Sequence, residues 1–145
     1  MAIQNGDPKS GPDWTNMAPP SLEDFEVIAD AAFALLPERF RKLCEDLVIQ
    51  VEDFPDEETL DLMECETEFD LLGLFQGRGL AQSGAAVMTG EMPNMIWLYR
   101  RSILDFWADN EDTLGEIITH VLVHEIGHHF GLSDEDMEAI ERHAN

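Results

Sequence analysis

Basic side chains are scarce: 8 Lys and Arg stand against 31 Asp and Glu in 145 residues, a formal net charge of −23 at pH 7. Such a surface repels a phosphate backbone and cannot neutralise it, so nucleic acid is excluded as an expected partner, and an anionic membrane surface with it. No segment reaches the ~18 consecutive apolar residues that a membrane span requires. Residues 1–12 have no apolar core flanked by basic residues, so a secretory signal is not expected and a cytoplasmic protein is. Cysteine is limited to Cys44 and Cys65. Two thiols set in apolar or acidic helical patterns do not make a disulfide framework, and they suit a reducing compartment. The glycines of 71–84 carry no Gly-Lys-Ser/Thr ending, so they do not form a phosphate cradle; they read as a loop or turn.

What is present describes one acidic α+β domain. A chain of this size buries about two-thirds of the surface its unfolded form exposes, so it needs no metal merely to fold. Residues 1–20, with Gly6, Pro8, Gly11, Pro12, Pro19 and Pro20, read as a flexible arm in which Trp14 is expected to dock back on the domain, which spans 21–145. Ser21 and Asp24 form a capping box ahead of an amphipathic helix through Phe25, Ile28, Ala29, Ala32 and Leu36. Pro37 opens a second short helix through Phe40, Leu43 and Cys44. The run 47–51 reads as a buried strand, and 95–100 as a second strand, taken as the sheet edge beside a helix. If so, an extended peptide could pair with it near Arg100 and Arg101. From Glu52 to Asp70 there are ten acidic residues and no basic one, which reads as a solvated helical face keeping Leu60, Met63 and Thr67 at apolar spacing. Residues 109–112 start a helix carried by Leu114, Ile117, Ile118, Val121, Leu122 and Ile126 to about His129. Gly131 ends that helix, and Ser133 with Asp136 caps a last one through Met137, Ile140 and Arg142.

The chemistry is concentrated in His124-Glu125-Ile126-Gly127-His128-His129-Phe130-Gly131-Leu132-Ser133-Asp134. On a helix, His124 and His128 differ by ~40° around the axis and lie ~6 Å apart along it, close enough to grip one ion. Glu125 sits ~100° round from His124, on the border of that face, where a carboxylate can take a proton from a metal-activated water. A catalytic zinc needs a third protein ligand. A left-handed glycine at position 131 can turn the chain back so that Asp134 supplies it. By chance, His-Glu-x-x-His arises in about two of a hundred sequences of this composition, and the extended pattern in roughly four of ten thousand. His129, ~140° from His124, reads as a surface or packing residue, while His120, about 12 Å along the axis from His128 and too far to share an ion with both histidines, reads as core, with a place supporting the ligands as the alternative. Tyr99 reads as a packing residue with a minor chance of oxyanion contact, and His143 as exposed.

The run His124-Glu-x-x-His128-x-x-Gly131-x-x-Asp134 resembles the extended zinc motif of metzincin-type peptidases, and with the acidic residues that follow it is similar to a family of small bacterial zincin-like metallopeptidases. The likeness extends to Val51-Glu52-Asp53 and Leu71-Leu72-Gly73-Leu74. It implies a compact zincin-like α+β domain, a small mixed sheet packed by the motif helix, N-terminal helices and a C-terminal helix. It also implies one Zn2+ per chain on His124, His128 and Asp134, Glu125 as general base, and a peptide or protein substrate. The methionine turn of metzincins has no counterpart beyond Met137 in the last helix. The rival reading is a non-catalytic, metal-stabilised interaction module with an acidic surface.

Overall fold

A computed structural model gives the fold of residues 11–77 and 93–144. The first α-helix, α1 (Leu22–Ala34), starts where Ser21 accepts from the Asp24 backbone N–H and Asp24 accepts from that of Ser21. Its expected apolar face is the one it buries: Phe25, Ala29 and Ala32, with Leu36 just beyond. A short α2 (Glu38–Arg41) runs into a 3-10 turn (Lys42–Cys44) that seats Phe40 and Cys44 in the core.

Three strands follow: β1 (Val48–Glu52), β2 (Gly73–Gln76) and β3 (Met95–Tyr99). They form a mixed sheet in the order β1-β3-β2, with β1 parallel and β2 antiparallel to β3. The register aligns Ile49, Ile96 and Phe75 in one inward row and Val51, Leu98 and Gly73 in the next. Four more helices complete the described residues: α3 (Glu57–Leu62), α4 (Arg100–Ala108), α5 (Leu114–His129) and α6 (Asp134–Ala144). Helix α5 packs on α1, on β2 and β3, and on α4 and α6. It buries Leu114, Ile117, Ile118, Val121, Leu122, Val123 and Ile126, which is why it is apolar on most of its sides. The fold is thus α+β, as expected.

Several expectations are corrected. The 95–100 strand is not an edge: β3 is central and ends at Tyr99, and Arg100 opens α4, a helix that sequence reading did not separate from the strand. Strand β1 is only part-buried: Val51 is covered and Ile49 half-covered, while Val48, Gln50 and Glu52 are exposed on what is, among the described residues, an outer strand. Residues 73–76 are a strand rather than loop, and 78–84 lie outside the described residues. The cap of α5 is Thr113, which shares a capping box with Glu116, rather than the 109–112 cluster. The acidic stretch forms only the short α3, capped by Asp56; it breaks at Glu64, whose φ is 57°, and leaves Leu62 and Met63 exposed. Trp14 does not dock: it is 60% exposed. Arg100 serves the fold, its guanidinium donating to the Pro20 carbonyl at 2.6 Å and to Asp53 at 2.9 Å, while Arg101 stacks over Phe54.

Candidate metal centre

Helix α5 carries the motif and ends in a Schellman turn. Leu132 N–H donates to the Gly127 carbonyl at 2.9 Å and Gly131 N–H to that of His128 at 3.2 Å, with Gly131 at φ 79°. That turn sends the chain back as α6, which Ser133 caps through the Asp136 N–H. The two helices then meet closely. A Cβ on Gly127, between the motif histidines, would fall 2.8 Å from Met137 Cγ, so the absence of a side chain there lets α6 lie against the motif. Met137 is fully buried in that contact. On the other side, a Cβ on Gly73 would meet Val121 Cγ1 at 2.7 Å and the Trp97 carbonyl at 3.0 Å, so the same economy of volume brings β2 against α5.

The rings of His124 and His128 sit one turn apart, edge to face, with centroids 5.6 Å apart. His128 is exposed and His124 half-buried. Asp134 is the first residue of α6 and is exposed. Among the described residues, the ligand atoms that lie within 4.8 Å of one another belong to a different trio, His120, His124 and Glu141. Structure therefore gathers His124 with His120 and Glu141, and does not bring His128 and Asp134 into that cluster. His120 is exposed, not core; its ring stacks on that of His124 at 3.9 Å. Glu141 Oε1 is 3.0 Å from His120 Nδ1 and its Oε2 is 2.9 Å from His124 Nε2. With Glu141 ionised, both rings donate to it. Sequence reading missed Glu141 because no local spacing links it to His124; the link exists only once the Gly131 turn folds α6 back along α5. The signal that was available is the four-residue spacing, which occurs twice, from His120 to His124 and from His124 to His128.

Glu125 is half-buried, and loss of water pushes its carboxyl up to about 7. Tyr99 is buried, and burial first, then the carboxylates of Glu52 and Asp56 and the nearby Cys65 and Glu125, push its phenol up to about 12. It stays a neutral donor on the outer face of the sheet, beside an acidic recess lined by Glu52, Asp56 and Glu58. His129 packs its ring on Phe75 at 4.4 Å, with Nε2 buried and unpaired among the described residues; burial lowers its pKa and keeps it neutral. His143 is exposed.

Imidazole nitrogens on one helix, with carboxylates on the helix that returns beside it, are the donor types that zinc accepts, so the residues present fit such an ion. None of the curated proteins matches the chain. The model of one protein family, described as zincin-like metallopeptidase, matches residues 44–144. That stretch runs from the last turn before β1 to the end of α6 and takes in the whole sheet, the motif helix and its returning partner, and the chain belongs to the zincin-like metallopeptidase family.

Proposed function

We propose that this protein hydrolyses peptide bonds with Glu125 as general base, and that His124, His128 and Asp134 hold one zinc ion per chain. Membership of the family supports a zinc peptidase-type activity. The observation that carries the finer reading is Glu125 itself. It stands next to His124 on α5 and is half-buried, and loss of water raises its carboxyl's affinity for a proton. A carboxylate placed beside the histidines is within reach of a water that a cation there would activate, and can take its proton and pass it on. Bound zinc would supply Lewis-acid polarisation of the scissile carbonyl and acidify a water molecule. Glu125 then removes the proton from the attacking water and returns it to the leaving amine.

Substrate orientation falls to the sheet. With β3 enclosed, β2 is among the described residues an outer strand that packs on the motif helix, and an extended peptide is expected to pair with it rather than with β3. The overall charge of −23 favours neutral or basic peptides over acidic ones.

The test is Glu125→Gln assayed on zinc-loaded protein with a mixed peptide library. Hydrolysis should fall by roughly 10²-fold or more while zinc content is unchanged; retained hydrolysis would falsify the base assignment. In a Glu141→Gln background, His128→Asn and Asp134→Asn are expected to weaken zinc uptake, and normal uptake in both removes them from the ligand set.

A further inference from the structure

We propose that His120, His124 and Glu141 form a divalent-cation site of their own, on the face of α5 that α6 covers. The site takes its His124 from the set proposed above, so the two sets alternate on that residue, and removal of His128 and Asp134 isolates this one.

Three observations lead to it. First, the donors converge: two ring nitrogens and a carboxylate lie within 4.8 Å of one another, contributed by two helices that the Gly131 turn holds side by side. Second, the carboxylate is divided between the rings, one oxygen to each at 3.0 and 2.9 Å. Each nitrogen then holds a proton pointed at Glu141. A cation entering the cluster takes the place of those two N–H groups, each neutral ring moving its proton to its other nitrogen, so both donor nitrogens and the carboxylate already face the point where it would sit. Third, the cluster is largely covered at one end and open at the other. The side chains of Glu141 and His124 are 21% and 26% exposed, while that of His120 is 57% exposed. His120 and Glu141 line a cavity of about 530 Å³, whose other walls include Asp112, Glu116, Phe106 and Ile117. The extra carboxylates draw cations toward it, and the open side leaves room for solvent or a ligand atom to complete the coordination.

Two imidazoles and one carboxylate are a donor set that zinc takes in three-ligand sites, and cobalt(II) and nickel(II) accept the same atoms. Because His124 Nε2 has one lone pair to give, an ion held by Glu141 uses the nitrogen that the motif set also needs. The two sets therefore exclude each other, and the wild-type chain binds one ion, not two.

The experiment titrates metal-free full-length protein with cobalt(II), read by its absorption bands, and with zinc(II) against a chromophoric chelator. The chains are wild type, Glu141→Gln, the double variant His128→Asn/Asp134→Asn, and that double variant with Glu141→Gln added; circular dichroism confirms folding of each. Expected is one ion per chain in the double variant, with affinity falling about 100-fold or more when Glu141→Gln is added. His120→Asn in the same background should act like Glu141→Gln. Overturning results are a double variant that binds no ion, or one whose affinity ignores Glu141→Gln. Loss of uptake on Asp134→Asn with none on Glu141→Gln sinks this site and leaves the motif set standing; the reverse keeps this site and removes the motif set.

Discussion

At the scale of single residues, burial decides which chemistry is usable. Cys44 is fully buried, and burial first, then the neighbouring Asp46 carboxylate, push its thiol up to about 12, whereas Cys65 is partly exposed. Both are free. Thiol titration of the native protein at pH 8 should count one rapidly reacting cysteine, with Cys44 modified only after unfolding; fast modification of two would contradict the packing around α2. The same logic ranks the histidines of α5. Their spacing was readable in the sequence, since 3.6 residues per turn is a fixed geometry. Their roles were not, because the helix period says which side chains share a face and nothing about which other helix covers that face. His120 was read as core for that reason, and it is the α6 carboxylate that makes it part of a cluster.

Caps and turns that rest on local chemistry were mostly legible, the Thr113–Glu116 box apart, and so were β1 and β3 from their β-branched and aromatic runs; the strand order and β2, which rest on long-range pairing, were not. Ser21–Asp24, Gly131 and Ser133–Asp136 act where expected, as caps and a turn that a few residues settle among themselves. Strand β2 was missed because its sequence, Gly-Leu-Phe-Gln, is short and set among glycines that read as a turn; the pairing with β3 and the close approach of α5 make it a strand. Three glycine substitutions separate these causes. Gly73→Ala forces a Cβ into Val121 and should destabilise by about 1–3 kcal/mol. Gly131→Ala meets no atom within 4 Å but keeps a positive φ, and should destabilise by about 1 kcal/mol. Gly115→Ala, also in open space but in helical conformation in the first turn of α5, should stabilise by about 0.5 kcal/mol. Chemical denaturation of the three variants checks the order; a neutral Gly73→Ala would mean that α5 and β2 are not in close contact.

For the whole molecule the dominant quantity is the charge of −23. Two of the ion pairs among the described residues, Lys42–Glu38 and Arg142–Glu138, are exposed and separated by 3.7 and 3.6 Å, a type worth about 0–1 kcal/mol that does little to offset it. Added salt screens the repulsion among the remaining carboxylates more than it weakens these pairs. The melting temperature is therefore expected to rise between low ionic strength and about 0.15 M, where the Debye length is about 8 Å. A fall over that range would show that attraction, not repulsion, governs the surface. Among the described residues no helix is long and apolar enough to cross a membrane.

The parallel pairing of β1 with β3 joins Val48 to Met95, residues 95 − 48 = 47 positions apart, while α5 and α6 meet across a turn of a few residues. Contacts distant along the chain form slowly, because the intervening segment must give up its freedom before any pairing rewards it. The histidine helix and its returning partner can thus be in place before the sheet closes. On this order of events, loosening the Gly127–Met137 contact slows refolding, whereas weakening β1 mainly hastens unfolding, and stopped-flow measurements on the two classes of variant tell them apart. The donor atoms of this small acidic domain would then be assembled early, by the nearest neighbours in sequence.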